Sequence, residues 1–471
     1  TTMHFMPGCE ILQSFDLVHW EHATYVYETL DHTDAQQLKS GQNIYGQGMW
    51  AASLRYHEGR FYICFVANDT RKTYLYTSEK IDGPWKKQLI EGFYHDGSLL
   101  FDEDGRNYIV YGNDEIWITE LNEDLTAPKK DGLHRLLVSD HKNPELGYEG
   151  SHIQKINGYY YIFLIHSLRD RWMRTEACFY SDSLEGEFTG GDVLCDDRGY
   201  CGQGVAQGGI VDTPDGKWYA MLFQDSGAVG RLPILLPVTW KDHFPVFGQN
   251  GHVPEEIEVH STRPGYIYQP LVGSDDFCNG LLPRWQFNHD PDPRYYHLDA
   301  LQGTYTITTR EVCTELTQAV NTLTQRMSYP SCAAEVTVDA SALKEGDVAG
   351  LCAFQGCYAA VGITKHHGKY EVLMLDKKED GILDMTEGTV VESHQMDFRL
   401  EADFCNMKDE ARCYYRVNKG DWLPIGTVHK LYFKLDHFTG CRFGLFCYAA
   451  EETGGSACFR DFKYYDVDEI S

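Results

Sequence analysis

W-A-A-S-L-R-Y-H-E-G-R-F-Y-I-C-F (50–65), D-G-S-L-L-F-D-E-D-G-R-N-Y-I-V-Y (96–111), E-G-S-H-I-Q-K-I-N-G-Y-Y-Y-I-F-L (149–164) and Q-G-G-I-V-D-T-P-D-G-K-W-Y-A-M-L (207–222) share one design. Each reads as a short strand, a polar turn closed by glycine, and a second strand rich in aromatic and branched residues. The turn dipeptides E-G, D-G, N-G and D-G end at Gly59, Gly105, Gly158 and Gly216. They are hairpin signals because glycine accepts the positive φ a tight turn demands. The glycines recur at intervals of 46, 53 and 58 residues. Further short strand-like segments fill the intervals: K-T-Y-L-Y-T-S-E from Lys72, I-W-I-T-E-L from Ile116, E-A-C-F-Y-S-D-S from Glu176 and I-L-L-P-V-T-W from Ile234. Repeats of several strands at this period predict a β-propeller. Stacked solenoids usually repeat at shorter intervals, and helical periodicity is scarce.

Trp50, Asp96, Glu149 and Gln207 each lie nine residues before their turn glycine. They are therefore expected at the start of the innermost strand of four blades, converging on one end of the central channel. The plain alternative is a set of strand-entry residues hydrogen-bonded to turns. Two carboxylates at axial positions are unfavourable unless used, which favours a site. Acetal hydrolysis needs a proton for the leaving oxygen and an activated water or carboxylate at the anomeric carbon, and two carboxyl groups across a sugar supply both. Glu149 has the longer side chain and is near His152 and Tyr159-Tyr160-Tyr161 in sequence. Partial desolvation there, with Asp96 as a like-charged neighbour, would raise its pKa as a general acid requires. Arg231 is the lone cation in a glycine-rich and apolar stretch and suits a contact to a polyol or carboxylate.

The 471 residues carry a formal net charge of −29. Such a surface repels phosphate backbones, which argues against nucleic acid as a partner. No apolar run is long enough to span a bilayer. Aromatic residues make up 13% of the chain, which suits pleated strands and the stacking of sugar faces. Fifteen cysteines occur without a C-x-x-C pair, so a zinc ribbon is not indicated. Read as small buried hydrophobes in a reducing compartment, they point to a cytoplasmic protein.

Together, M-P-G from Met6, S-F-D-L-V-H-W from Ser14, W-A-A-S-L-R-Y-H from Trp50, H-D-G-S-L-L-F-D from His95, E-G-S-H from Glu149, V-A-Q-G-G-I-V-D-T from Val205, G-A-V-G-R-L-P from Gly227 and L-P-V-T-W from Leu236 resemble glycoside hydrolase family 43. The resemblance covers essentially the whole chain. It implies an all-β protein: a five-bladed β-propeller over residues 1–260, a linker over 261–274, and a concanavalin-like β-sandwich over 275–471. W-Q-F-N-H-D-P-D from Trp285, L-T-Q-R from Leu323, A-G-L-C-A-F-Q from Ala349 and G-D-W-L-P-I-G from Gly420 carry the sandwich.

The resemblance further implies an inverting, exo-acting hydrolase. Its general acid falls on Glu149, and its pKa-modulating aspartate on Asp96. This chain has Asp96-Gly97-Ser98 where the family usually has Asp-Pro-Ser. Its sugar-binding arginine falls on Arg231, with a plain surface arginine as the alternative, and Phe438-Thr439-Gly440 is similar to a loop that walls the pocket in two-domain relatives, with ordinary sandwich core as the alternative for Phe438. Trp50, Gln207, Arg231 and Phe438 are thus the expected substrate contacts. The general base would be an aspartate on the innermost strand of the first blade. The resemblance places it upstream of the T-T-M-H-F-M-P-G stretch that opens at Thr1, so the first blade is expected to be incomplete. Asp16, in an outer-strand motif, does not replace it. A chain opening at Thr1 is then expected to be poorly folded or nearly inactive.

The expected substrate is a hemicellulose-derived oligosaccharide, releasing α-L-arabinofuranose, β-D-xylose or both. The alternative is a non-catalytic carbohydrate-binding protein, motivated by the upstream base; a scaffold for protein partners is disfavoured by paired axial acids. No cofactor is required and no catalytic metal is expected. Asp275, Asp276 and Asp461 are candidate ligands of a structural Ca²⁺, since hard oxygens suit that ion.

Overall fold

The structure, a computed structural model, describes residues 2–466. Thr1 and residues 467–471, the outer ends of the two expected domains, lie outside the described residues.

The repeated hairpins build four antiparallel four-stranded sheets. They are Met49–His57, Arg60–Ala67, Lys72–Ser78 and Lys86–Ile90; Ser98–Phe101, Asn107–Asn113, Glu115–Leu121 and His134–Ser139; Glu149–Ile156, Tyr159–Ser167, Arg174–Ser181 and Thr189–Leu194; and Ala206–Asp212, Trp218–Asp225, Arg231–Lys241 and Phe244–Phe247. The sheets pack face against face as blades of a propeller. Between the second and third, Leu100, Tyr108, Val110 and Ile116 meet Ile153, Tyr160, Ile162 and Leu164. Between the third and fourth, Tyr161, Phe163 and Cys178 meet Ile210, Leu222 and Leu236. Second strands such as Arg60–Ala67 and Tyr159–Ser167 are covered on both faces and read as near-continuous apolar runs rather than alternating ones.

The turns differ in type. Glu58-Gly59 and Asn157-Gly158 are two-residue turns with both φ positive, at 47° and 81° and at 50° and 85°. These mirror-image turns match the strand twist. At the two D-G sites only the glycine is positive. There the loops are longer, closed by Asp102 N–H on Arg106 O and Thr213 N–H on Lys217 O.

Five blades were expected, the first of them incomplete; four four-stranded blades are present among the described residues. The remaining sheet has two strands, Gly8–Gln13 and Glu21–Tyr27. Among the described residues no further strand pairs with it. It packs on the first four-stranded blade through Met6, Val26, Tyr27, Phe65 and Tyr74. On its axial side lies a cavity of about 440 Å³ lined by Cys9, Ile11, Ala52, Ile63, Met221 and Pro233.

The second half is a sandwich of two large antiparallel sheets. One face of its core is built from Leu351, Ala353, Val361, Phe443 and Leu445, the other from Val336, Val338, Phe398, Leu400 and Phe459. One strand departs from the expected boundary: Phe5–Met6, in the propeller half of the sequence, pairs with Gln286–Asn288 at the edge of a sandwich sheet. All fifteen cysteines are free, ten of them buried. No helix among the described residues is long and apolar enough to cross a membrane.

Candidate active site

Antiparallel order within each blade puts the tight hairpins on one face of the propeller. The loops between second and third strands, and the links between blades, lie on the other. The site occupies that second face. Three inner strands carry a β-bulge at this end, where pairing shifts between Met49 and Ala52, Glu149 and His152, and Ala206 and Gly209. Bulges re-aim side chains next to functional sites. Here they turn inner-strand residues from the blade face into the channel. They also break the fourfold equivalence read from the turn glycines: Glu149 opens its bulge, whereas Trp50 and Gln207 lie inside theirs.

The predicted residues nevertheless meet. Asp96 is buried, with 6% exposure, and holds a left-handed φ of 49°. Its Oδ2 accepts the Gly150 N–H at 3.0 Å. Its carbonyl accepts the Ser151 hydroxyl at 2.7 Å. The strand bearing Glu149 is thus sewn to Asp96 by the G-S of E-G-S-H. His95 Nε2 sits between the acids, 3.6 Å from Asp96 Oδ2 and 3.7 Å from Glu149 Oε2. Glu149 Oε2 also accepts the Asn113 side-chain N–H at 2.8 Å. The Gln207 side chain lies against Gly150, where an added Cβ would come within 2.7 Å of its Nε2.

A wall of rings and guanidinium groups closes the site. The Trp50 ring is 5.7 Å from His95 and meets Phe438 edge-on at 5.9 Å. The Arg231 guanidinium stacks between Phe438 at 4.4 Å and Phe223 at 4.2 Å. Arg231 Nε also donates to Asp225 Oδ1 at 3.2 Å, and Asp225 is held on its other oxygen by Arg174. Phe438 comes from the sandwich. Its loop presses on the propeller with Cys441 N–H on Ala228 O at 2.8 Å.

Burial dominates the electrostatics. It pushes the Asp96 pKa up to about 6, Glu149 adding to the rise while His95, the Gly150 N–H and Arg231 oppose it. Burial lowers His95, yet Glu149 and Asp96 outweigh it and leave the imidazole above its ordinary value. Burial pulls Arg231 down to about 10, Glu149 and Asp96 opposing, so it stays charged at neutral pH. Glu176, two residues past Arg174, is fully buried and held well above the carboxylate range; one oxygen accepts the Gln207 N–H at 2.7 Å.

Two sequence readings need correction. Tyr159-Tyr160-Tyr161 pairs with Gln154–Ile156 at the far end of the hairpin, while Glu149 pairs with Ile165, so these rings do not desolvate Glu149. His152 is close to Gly209, and burial, with Arg55 nearby, pushes it down to about 3. Asn113, Arg174 and Asp225 were missed. The available signal was position: Arg174 and Arg231 each open a third strand.

The donor atoms of His95, Asp96 and Glu149 lie within 4.8 Å of one another. Of these atoms, Asp96 Oδ2 accepts the Gly150 N–H and Glu149 Oε2 accepts the Asn113 side-chain N–H. In the sandwich, Asp275 gives its oxygens to the Phe277 N–H at 2.7 Å and the Trp285 indole at 2.8 Å. Its carboxylate is thus a structural acceptor.

Residues 1–245 match glycosyl hydrolases family 43, and residues 274–465 match the beta-xylosidase C-terminal concanavalin A-like domain. A beta-xylosidase of Formosa agariphila is 25% identical, over 99% of this chain and 84% of that protein. A xylosidase/arabinosidase of Butyrivibrio fibrisolvens is 23% identical, over 99% of this chain and 94% of that protein. Among solved structures, a bifunctional GH43-CE protein of Bacteroides eggerthii superposes with a TM-score of 0.91 and 41% identity over 99% of this chain. The chain spans 60% of that protein's length. With its catalytic half matched over more than half the sequence and its sandwich matched separately, the chain belongs to glycosyl hydrolases family 43 and is a glycoside hydrolase.

Proposed function

We propose that the protein is an inverting, exo-acting hydrolase that releases α-L-arabinofuranose, β-D-xylose or both from arabinoxylan fragments. The observation that carries this reading is the Asp96–Glu149 pair facing one pocket, closed by Trp50, Arg231 and Phe438. Glu149 is the general acid, delivering its proton to the glycosidic oxygen. Asp96 is the anionic neighbour that keeps that proton on Glu149 until the transition state. Arg231, Trp50, Phe438 and Gln207 position the sugar. Xylose and arabinofuranose present similar hydroxyl arrangements, so one pocket serves both. The relatives named for xylosidase and arabinosidase activity support this choice.

An inverting enzyme also needs a base on the opposite face of the sugar. The other buried acids beside the pocket are committed: Asp225 to two guanidinium groups, Glu176 to the Gln207 N–H. We read the two-stranded sheet as the outer half of a fifth blade. A strand seated in the 440 Å³ cavity beside it would complete that blade and bring the base. The commitment of Asp225 and Glu176 supports the second reading, a carbohydrate-binding protein without turnover.

Hydrolysis of aryl arabinofuranoside, aryl xyloside and xylo-oligosaccharides, followed by NMR of the first-formed anomer, tests the proposal. Glu149→Gln should lower turnover of oligosaccharides at least a hundredfold, with a far smaller loss on substrates with activated leaving groups. Retention of configuration would overturn the mechanism. Equal activity of Glu149→Gln and parent on xylo-oligosaccharides would overturn the acid's assignment. Sugar binding without turnover would select the second reading.

A further inference from the structure

A protonated carboxyl can carry its hydrogen on either oxygen, and only one of them faces the glycosidic oxygen. Around Glu149 the two oxygens are not equivalent. Oε2 accepts the Asn113 side-chain N–H at 2.8 Å and lies 3.7 Å from His95 Nε2. Both neighbours are anchored through the backbone. The His95 carbonyl accepts the Gly112 N–H at 3.0 Å, and the Asp114 N–H reaches the Tyr148 carbonyl at 2.8 Å. Asn113 therefore sits in a one-residue span tied on one side to His95 and on the other to the residue before Glu149. The His95 ring is further fixed by Trp50. Its Nε2 is buried and makes no hydrogen bond with the protein; the acids are at ion-pair distance.

We propose that Asn113 and His95 are positioning residues that hold Oε2 of Glu149 as an acceptor and so confine its transferable proton to Oε1. The proposal rests on the reading of Glu149 as general acid and adds which atom delivers the proton. A hydrogen on Oε2 would point at an N–H donor and forfeit that hydrogen bond, so the acid form with its proton on Oε1 is favoured. In the reaction the Oε1–H bond breaks as the glycosidic oxygen gains the proton, its bond to the anomeric carbon breaks, and a water oxygen bonds to that carbon while its proton passes to the base on the opposite face of the sugar. Glu149 is left as a carboxylate whose Oε2 accepts the Asn113 N–H with His95 Nε2 at ion-pair distance, and solvent returns the proton. Asp96 faces His95 as an anion, Arg71 opposes it, and Arg231 acts on both acids. His95 presents an N–H at Nε2 both as the imidazolium and as the neutral Nε2–H tautomer.

Asn113→Ala and His95→Gln should each lower kcat/KM on xylobiose or an arabino-oligosaccharide tenfold or more, up to the roughly 10²–10⁴-fold that acid catalysis contributes. Nitrophenyl glycosides, which need little protonation, should lose much less. The alkaline limb of the pH profile should move up in both variants, because each loses a group that favours ionised Glu149. Carbon-13 NMR titration of labelled Glu149 should move in the same direction and needs no turnover. That titration separates the clamp from the function: a shift in both variants supports the clamp even where hydrolysis fails. An unmoved Glu149 titration in both variants, or equal losses on oligosaccharide and nitrophenyl substrates, would overturn the inference.

Discussion

At the scale of single residues, Asp96 shows how this pocket trades stability for chemistry. Its folded pKa of about 6 lies above its ordinary 3.8. Below 3.8 both folded and unfolded chains hold the proton and Asp96 is neutral to stability. As pH rises from 3.8 to 6 the unfolded chain ionises first, so folding loses free energy progressively, and above 6 the full penalty of a few kcal/mol applies. Asp96→Asn keeps an acceptor for the Gly150 N–H and removes the charge. It should therefore raise the melting temperature at pH 8, change it little at pH 4, and lower hydrolysis sharply. A melting-temperature gain no larger at pH 8 than at pH 4 would show that burial of the charge is not what sets this carboxyl. Asp96 and Glu149 were legible from sequence because their two motifs bond each other: the Gly150 N–H and Ser151 hydroxyl of E-G-S-H reach Asp96. Asn113 and Arg174 carried no such local mark. They reach the site from second and third strands.

At the scale of elements, the pocket depends on how closely one sandwich loop approaches one propeller loop. Gly230 and Gly440 face each other with φ of 96° and 100°. A Cβ on Gly440 would lie 2.1 Å from the Val229 carbonyl oxygen, and one on Gly230 2.7 Å from the Gly440 nitrogen. Backbone cannot yield there as a flexible side chain can. Gly440→Ala should push the loop outward and carry Phe438 off Arg231 and Trp50. The expected result is a tenfold or greater fall in kcat/KM for oligosaccharides, dominated by KM. Phe438→Ala, which leaves the backbone alone, should give a similar fall with less loss of stability. Normal KM in both variants would remove Phe438 from the substrate wall. The strand-turn-strand repeat was readable because glycine turns are local. The blade count was not, since it depends on which strands pair around the ring, and the cavity at Met221 and Pro233 has no signature in either segment.

At the scale of the whole molecule, the two halves share structure that neither owns. Phe5–Met6 completes the edge beyond Gln286–Asn288. The buried Arg442 guanidinium covers the Phe5 ring at 3.6 Å and donates to Gln286 Oε1 at 2.8 Å, while Gln286 Nε2 donates to the Pro7 carbonyl at 2.6 Å. The His289 N–H reaches the His4 carbonyl at 3.1 Å, and Asn288 Nδ2 reaches the Tyr45 hydroxyl at 2.8 Å. Ala228 and Val229, from the propeller, are buried in the main sandwich core. Domains joined by a flexible linker melt separately; domains that exchange a strand and core residues do not. Calorimetry of the full chain should therefore show one transition with calorimetric and van't Hoff enthalpies in agreement. Residues 275–466 alone should be poorly soluble, because losing Phe5–Met6 bares a strand edge and leaves Arg442 buried without its aromatic cover. Supplying residues 1–260 in trans should restore solubility and pocket together, since Phe438 needs the propeller surface and the propeller needs its sandwich strand. Two resolved transitions, or a sandwich fragment that stays soluble and melts as it does in the full chain, would show that the shared strand is ornamental and that the pocket's far wall is held by the Phe438 loop alone.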